Sequence, residues 1–303
     1  MWDRSVVHAK SAGRFANQTA AEAISRASLD AGASPGKMAA MQTIYGSHSA
    51  IAPFQLFRPA RIEDAAAALA DGAVYLAGGV DLVPALRAGR KVERIVSLSG
   101  IAALKTIERR DGVLRVGAGV TYARLAADPT ITAALPDLAA VWRGVANVRV
   151  RHAATIGGNL MARNAQYDLL PALLALDATL VIARPDGRFE RVGVESAAWP
   201  EGLLASIEIP LVPERRFVME RGFKPVISLA VSAEARGARV AIGCAYERAL
   251  LRTFALDGAP EALAATFACD LPEPKSDWVA RGAYRRKLAQ VLLARQLRAL
   301  APR

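Results

Sequence analysis

The sequence predicts an α+β protein of more than one folded piece, and two observations lead to that fold class. Strand-like and helix-like segments alternate between about residue 53 and residue 210, whereas three successive strands and then two helices follow. The 303 residues are 53% hydrophobic, which is ample for a buried core. We therefore expect a larger domain over residues 46–212 and a smaller C-terminal domain over residues 213–303. Residues 1–45 are rich in Ala, Ser and Arg with weak periodicity, so we expect a poorly ordered extension there.

The larger domain is expected to combine short helices with short strands. Helical spacing of apolar residues and terminal stop signals predict helices over residues 62–70, 81–87, 121–127, 131–145 and 168–176. Short apolar runs and alternating patterns predict strands over residues 74–77, 94–98, 104–109, 113–117, 179–184, 188–194 and 204–209. The turns Asp111-Gly112 and Pro185-Asp186-Gly187 join two pairs of these strands into hairpins.

The smaller domain is expected to be an antiparallel sheet closed by two helices. Strands are predicted over residues 216–222, 226–235 and 238–246, and helices over residues 260–267 and 280–300. In the last helix one apolar stripe is predicted to face the core at helical spacing; it contains Ala280, Tyr284, Leu288, Val291 and Leu292.

Composition and charge narrow the classes of protein. The best candidate for a membrane span, residues 169–183, is too short and contains Pro171 and Asp177, so we expect no membrane span. Two cysteines do not suggest a disulfide framework and fit a cytoplasmic location. The net charge is +11, and residues 278–303 hold seven basic residues and no acid. Few aromatic residues interleave with these charges, which favours an acidic protein partner and no nucleic acid.

Two glycine loops are the most informative motifs. Ala77-Gly78-Gly79-Val80-Asp81 and Ala154-Thr155-Ile156-Gly157-Gly158-Asn159 each follow an extended segment, and Asp168 comes nine residues after the second loop. Glycine pairs allow backbone N–H groups to converge on an anion, so two such loops can hold one diphosphate from two sides. Asp81 and Asp168 could accept hydrogen bonds from sugar hydroxyls. Each loop taken alone could also be a simple turn between a strand and a helix. Asp81 could also be the N-cap of the helix that follows it.

Other common sites are poorly supported. Gly117-Ala118-Gly119 is followed by Tyr122 where a Rossmann motif needs its third glycine. No lysine of a P-loop follows a glycine run, and two cysteines cannot supply the four thiolates of an iron–sulfur cluster. His8, His48 and His152 are scattered, so no metal site is expected in this chain. No residue is singled out as a catalytic acid, base or nucleophile.

The paired loops resemble the two FAD loops of the flavoprotein subunits of molybdenum hydroxylases. That family includes the medium subunit of carbon monoxide dehydrogenase and the flavin domain of xanthine dehydrogenase. The resemblance extends from about Pro53 to the C-terminus and includes Ser206-Ile207-Glu208-Ile209-Pro210 and Gly282-Ala283-Tyr284-Arg285-Arg286. It implies an FAD-binding domain of the vanillyl-alcohol-oxidase type in two α/β subdomains over residues 46–212. A small C-terminal flavoprotein domain would then occupy residues 213–303.

The resemblance also implies which residues contact FAD. Asp168 should bind the ribityl or neighbouring hydroxyls, and Leu204 should pack against the isoalloxazine. Val145 and Ala146 should line the adenine side. The remaining expected contacts, around the diphosphate and adenosine, are Leu76, Ala77, Gly78, Gly79, Val80, Asp81, Leu82, Thr155, Gly157, Gly158 and Asn159.

Three departures from the family pattern bear on these contacts. Val80 replaces a hydroxyl or imidazole side chain that often follows the glycine pair, so one diphosphate contact is absent. Arg151-His152 stands where Arg-Asn is usual. No histidine lies in the first loop, where relatives of this fold attach flavin covalently, so noncovalent FAD is expected.

Three functional hypotheses follow. The first is an electron-transfer FAD subunit of a molybdenum hydroxylase, with 2Fe–2S clusters in a small partner subunit and the molybdenum cofactor in a large one, assembled as a dimer of heterotrimers. The second is a free-standing FAD-dependent oxidoreductase of the same fold. The third is a basic, non-enzymatic binding or assembly protein. The substrate and the electron acceptor stay open.

Overall fold

The computed structural model describes residues 51–221, 226–235 and 237–300, without the side chains of residues 70 and 71. The extension predicted over residues 1–45 lies outside these residues. The α-helices are α1 (Ile62–Ala67), α2 (Leu82–Arg87), α3 (Tyr122–Ala127), α4 (Pro129–Ala134), α5 (Pro136–Arg143), α6 (Val148–Ala153), α7 (Ile156–Met161), α8 (Leu169–Ala175), α9 (Pro260–Cys269) and α10 (Gly282–Leu300). The strands are β1 (Gln55–Phe57), β2 (Val74–Leu76), β3 (Arg94–Ser97), β4 (Ile107–Arg110), β5 (Val113–Gly117), β6 (Thr179–Ala183), β7 (Phe189–Gly193), β8 (Leu203–Pro210), β9 (Arg216–Arg221), β10 (Ser228–Glu234), β11 (Gly237–Gly243) and β12 (Leu250–Ala255). Two 3₁₀-helices cover Ala68–Asp71 and Ala102–Lys105.

The predicted α+β class is confirmed, although several elements differ from the prediction. The helix expected over residues 131–145 is two helices, because Pro136 begins α5 and Leu135 before it leaves helical geometry. Strands β1 and β12 and helices α6 and α7 are not among the predicted elements. Helices α6 and α7 have only six residues each and owe their starts to Asn147 and Thr155, whose side chains accept the N-capping hydrogen bonds.

Two sheets form the N-terminal part of the structure. A parallel sheet has the order β1-β3-β2, and an antiparallel five-stranded sheet has the order β4-β5-β8-β6-β7. Strand β8 is central, and residues 203–207 are all buried, since helices and loops cover both faces. The predicted hairpin turn between β4 and β5 is confirmed. Asp111 and Gly112 both have positive φ (50° and 74°), as a tight hairpin turn requires.

The C-terminal sheet, of order β12-β11-β10-β9, has two buried faces. Because side chains alternate along a strand, Leu229 and Val231 face one side and Ala230 faces the other. Leu229 and Val231 join a hydrophobic cluster with α9 and α10, whereas Ala230 and Ala241 belong to the cluster of the N-terminal sheets. Helix α8 therefore packs on the second face of this sheet. The boundary after residue 212 stays a prediction.

The stripe predicted for helix α10 is confirmed only in part: Leu292 is buried and Leu288 packs against the same hydrophobic cluster, but two other members face solvent. Tyr284 and Val291 are 57% and 42% exposed, whereas the buried face carries Arg285, Ala289, Leu292, Leu293 and Gln296. Two polar residues take core positions because the core supplies their hydrogen-bond partners. The Arg285 guanidinium donates to the Cys244 carbonyl at 2.5 Å and to Asp277 at 2.7 Å, and the Gln296 amide donates to the Leu229 carbonyl at 3.0 Å.

We predict that Leu293→Ala lowers the free energy of unfolding by about 2–5 kcal/mol, because it leaves a cavity between α10 and the sheet. Leu293 is fully buried, whereas Val291 on the same helix is 42% exposed. Val291→Ala is therefore the matched control and should change stability by less than about 1 kcal/mol. Urea denaturation measures both values, and equal losses would contradict this packing.

Candidate cofactor site

The two glycine loops touch at Gly78. A Cβ atom at this position would lie 1.8 Å from the Ala153 carbonyl oxygen and 3.2 Å from the Ala154 Cα. Only glycine permits this approach, since a real Cβ does not come within 3.0 Å of such atoms. The backbone between α6 and α7 therefore lies directly against the first loop, as the sequence predicts for a shared site.

The first loop offers unpaired backbone donors. In the described part of the chain, the N–H groups of Gly78, Gly79, Val80 and Asp81 have no protein acceptor. Gly79 adopts a φ of +72°, which turns the chain from β2 towards α2. The carbonyl of Gly79 then accepts from the Val83 N–H at 3.0 Å and begins the helix. Successive free N–H groups at such a turn suit an anion such as a diphosphate.

In the second loop, the backbone N–H groups of residues 156–159 all donate to acceptors within the protein. The Ile156 N–H donates to the Val120 carbonyl at 3.0 Å, and the Gly157 N–H donates to the Ala118 carbonyl at 2.8 Å. The Gly158 N–H donates to Thr155 Oγ1 at 3.1 Å, and the Asn159 N–H closes a helical hydrogen bond. This loop therefore offers side chains to a ligand in place of N–H groups. One of them, the buried Oδ1 atom of Asn159, has no hydrogen-bond partner.

The segment Gly117-Ala118-Gly119, at the end of strand β5, packs directly against the second loop. Gly157 packs so closely on Ala118 that a Cβ would lie 2.7 Å from the Ala118 Cβ. Gly117 and Gly119 in turn press on the backbone of Leu104, where added Cβ atoms would lie 2.4 and 3.0 Å from its carbonyl oxygen. The glycines that fail as a Rossmann motif therefore serve close backbone packing. Leu204 lies in β8 next to Ala205, whose carbonyl accepts from the Ala118 N–H at 2.9 Å.

Asp168 is a buried carboxylate with one oxygen engaged. Its Oδ2 accepts from the Arg221 guanidinium at 3.4 Å, and its buried Oδ1 has no partner. Burial raises the pKa of Asp168 above its usual value, and the Arg221 charge and the nearby Ser228 hydroxyl oppose that rise. Arg221 also donates to the Gly144 carbonyl at 3.2 Å, so strand β9 of the C-terminal sheet is tied to the segment that precedes Val145.

The predicted adenine-side residues have an unusual backbone. Ala146 has a φ of +53°, a left-handed conformation that is uncommon for alanine. The Arg151 guanidinium donates to the Val145 carbonyl at 3.0 Å and to the Ala146 carbonyl at 2.7 Å, which holds this turn. The sequence marks Arg151 only as part of a departure from the family pattern, and the structure shows that it stabilises the turn.

Tyrosines that the sequence did not single out link the parts of this site. The Tyr167 hydroxyl donates to Asp81 Oδ1 at 2.5 Å, so it connects the segment before Asp168 with the first loop. The Tyr122 ring stacks on Trp142 with centroids 5.1 Å apart and planes 10° apart. Neither tyrosine belongs to a motif. A sequence pattern could not have found these contacts, because the Tyr167 and Asp81 side chains meet across 86 positions.

Two other kinds of site are absent from the described residues. They contain no group of three or more His, Cys, Asp or Glu side chains arranged to hold a metal ion. None of the helices within those residues has the length and apolar character required to cross a bilayer. The two cysteines are unpaired; Cys244 is buried and Cys269 is exposed.

Comparisons with known proteins agree with the resemblance drawn from the loops. The profile of the family described as "FAD binding domain in molybdopterin dehydrogenase" matches residues 52–211. The xanthine dehydrogenase FAD-binding subunit of Escherichia coli O157:H7 is 34% identical over 134 residues, which are 43% of this chain and 46% of that protein. The 6-hydroxypseudooxynicotine dehydrogenase complex subunit alpha of Paenarthrobacter nicotinovorans is 31% identical over 164 residues, 50% and 55% of the two chains. The chain thus spans about half the length of these curated relatives.

Solved structures extend the similarity in fold. A chain of quinoline 2-oxidoreductase from Pseudomonas putida 86 is 28% identical, with a TM-score of 0.72 over 83% of this chain and 98% of that one. A chain of carbon monoxide dehydrogenase from Hydrogenophaga pseudoflava has a TM-score of 0.74 at 21% identity, covering the same shares, and supports the fold alone. The predicted fold, an N-terminal cofactor domain followed by a small antiparallel sheet with helices, is confirmed by this likeness.

We predict that Gly78→Ala separates the two loops and destabilises the protein by about 1–3 kcal/mol, because the new Cβ must move the Ala153 carbonyl. Gly193→Ala is the matched control, since its Cβ would meet only the Glu195 side chain, at 3.6 Å. Thermal unfolding followed by circular dichroism compares the two variants. A melting temperature of Gly78→Ala equal to that of the control would refute the contact between the loops.

Proposed function

The chain belongs to the family of FAD-binding domains of molybdopterin dehydrogenases, and we propose that it is the FAD-binding electron-transfer subunit of a multi-subunit molybdenum hydroxylase. The observation that carries this proposal is the apposition of two glycine loops at Gly78, with free backbone donors on one loop and buried acceptors on the other. When bound, FAD supplies the redox chemistry, and the protein supplies binding and orientation.

The residues present fit a dinucleotide. The free N–H groups of residues 78–81 match the negative charge of a diphosphate, because successive free donors at a turn form an anion site. The unpartnered Oδ1 atoms of Asn159 and Asp168 can accept hydrogen bonds from sugar hydroxyls. We propose the full set of FAD contacts as predicted, with the diphosphate donors assigned to the first loop and side-chain contacts to the second.

Four further predicted contacts have a physical role in this proposal. Asp81 is oriented by Tyr167 and can face a hydroxyl on its other side. Leu204, which is 2% exposed on the central strand, would pack against the isoalloxazine as an apolar neighbour. Val145 and Ala146 offer a fixed turn beside the adenine. We propose noncovalent binding, because the first loop provides no histidine for attachment.

We also propose that this chain works with partner subunits. The relatives are named as subunits of larger enzymes, which supports partner subunits for this chain. We propose a small partner with 2Fe–2S clusters and a large one with the molybdenum cofactor. A dimer of heterotrimers in the cytoplasm is the assembly we propose, and the two free thiols fit a reducing compartment. The outer face of α10 would contact an acidic partner, because the basic side chains of Arg281, just before the helix, and Lys287 are exposed there.

We predict that the purified chain takes up FAD and that Gly158→Val weakens this binding at least about tenfold, a loss of about 1.4 kcal/mol. The first carbon of a side chain at Gly158 would lie 3.9 Å from the Ala77 Cβ, so the branches of valine would fill the gap between the loops. Flavin absorbance after gel filtration measures uptake. Gly193→Val on edge strand β7 is the control and should retain wild-type affinity.

Two outcomes would count against this site. Normal FAD affinity in a folded Gly158→Val variant would contradict the loop assignment. A wild-type chain that binds no added FAD would contradict the proposed function as a whole and leave the basic binding protein as the remaining hypothesis. Gly158→Ala, which adds a single Cβ 3.0 Å from Thr155 Oγ1, serves if the valine variant does not fold.

We predict that FAD bound to the isolated chain stays oxidised when an organic substrate of the complex is added, and is reduced once both partner subunits are present. The reason is that, in the proposed complex, the organic substrate would be oxidised at the molybdenum cofactor of the large partner subunit. Anaerobic bleaching of the flavin absorbance is the measurement. Reduction by substrate in the isolated chain would instead support a free-standing oxidoreductase.

A further inference from the structure

Unpartnered buried polar atoms gather around the candidate site. Among the described residues, seven buried side-chain nitrogen or oxygen atoms have no hydrogen-bond partner. Two of them, Asn159 Oδ1 and Asp168 Oδ1, belong to predicted site residues. Two more, Tyr122 Oη and Trp142 Nε1, belong to a stacked pair of rings whose Tyr122 backbone contacts the second loop. A buried polar group without a partner costs folding free energy, so such a concentration indicates that a ligand or water completes these hydrogen bonds.

Tyr122 is held firmly within this group. It is the first residue of α3, its N–H donates to the Ala154 carbonyl at 3.1 Å, and it is 2% exposed. Thr121 before it forms a β-bridge with Thr155 in the second loop. The stack on Trp142 fixes the ring, so the hydroxyl has one defined position.

Arg221 links Asp168 to the segment that follows helix α5. Its guanidinium donates to both the Asp168 carboxylate and the Gly144 carbonyl. Gly144 follows Trp142, the residue on which Tyr122 stacks, by two positions. Helix α5, which carries Trp142, also packs on strand β9, which carries Arg221. Arg221 engages Asp168 Oδ2 and leaves Oδ1 as a buried acceptor.

The protonation state of the phenol suits a donor. Burial raises the pKa of Tyr122 far above its ordinary value, and the neighbouring charge of Asp168 raises it further, ahead of Tyr167 and Asp81. The phenol therefore stays protonated at neutral pH. An O–H donor and a carboxylate acceptor that do not bond each other can share one hydroxyl group, which accepts from the phenol and donates to the carboxylate.

We propose that Tyr122 and Asp168 together bind a single sugar hydroxyl of the cofactor, which makes Tyr122 an additional FAD-binding residue. This inference rests on the proposed function. The hydroxyl belongs to the ribityl chain or to the ribose of adenosine, since both present the same chemistry. Neither the glycine loops nor the family pattern points to Tyr122, and its proposed role depends on its stack with Trp142 and on its buried, unpartnered hydroxyl.

The test is the dissociation constant of FAD, measured by quenching of flavin fluorescence in the full chain. Tyr122→Phe keeps the ring stack and removes one hydroxyl, so we expect binding about tenfold weaker. Asp168→Asn should weaken binding to a similar extent, and the double variant should weaken it by much less than the product of the two single effects. Tyr246→Phe removes a hydroxyl that donates to the Pro272 carbonyl at 3.0 Å, far along the chain, and should bind as the wild type does.

Each outcome is decisive. If wild-type and Tyr122→Phe proteins bind FAD equally, the Tyr122 hydroxyl does not contact the cofactor, and the inference is overturned while the proposed function stands. Fully multiplicative effects in the double variant would show that the two residues act on different groups, which also overturns it. If the wild-type chain binds no FAD, the proposed function itself fails. FMN and ADP as competing half-ligands assign the hydroxyl, because only the half that carries it loses affinity in Tyr122→Phe.

Discussion

The contact of the two glycine loops at Gly78 is the constraint on which the candidate site depends. A side chain at this position would collide with the Ala153 carbonyl, so the loops can meet only because one residue lacks a Cβ. The contact fixes the distance between a turn with free N–H groups and the start of α7. Everything assigned to the cofactor, from the diphosphate donors to the buried acceptors, is placed relative to this point.

The two loops have similar sequences but different physical roles. The first has a left-handed glycine, Gly79, and exposes unpaired donors before a short helix. In the second loop the backbone N–H groups donate to Val120, Ala118 and Thr155, so they are not free for a ligand. Its Gly157 instead allows close packing on the segment 117–119. The second loop, which is held by its own hydrogen bonds, gives the first loop a fixed surface to pack against. Such packing keeps the free N–H groups of the first loop in one preorganised arrangement.

The C-terminal sheet contributes to the site although it contains no glycine loop. Its strand β9 supplies Arg221, which neutralises part of the buried charge of Asp168. Farther from the loops, Arg285 of α10 holds the carbonyl of Cys244, and the Cys244 N–H donates to the Ala165 carbonyl, three residues before Asp168. The left-handed φ of +67° at Cys244 is kept by these two bonds. The smaller domain thus braces the segment that positions the carboxylate.

The sequence by itself determined the α+β class, the hairpin at Asp111-Gly112 and the two glycine loops, because each depends on local backbone preferences that a few neighbouring residues express. Tertiary structure decided the rest. The buried face of α10 differs from the predicted stripe, since Arg285 and Gln296 find partners in the core that no helical pattern reveals. Asp168 and Arg221 are 53 positions apart, and Tyr122 gains its place from a stack on Trp142. Such contacts form only when distant segments pack together, so the motifs identified the cofactor while the packing selected the residues around it.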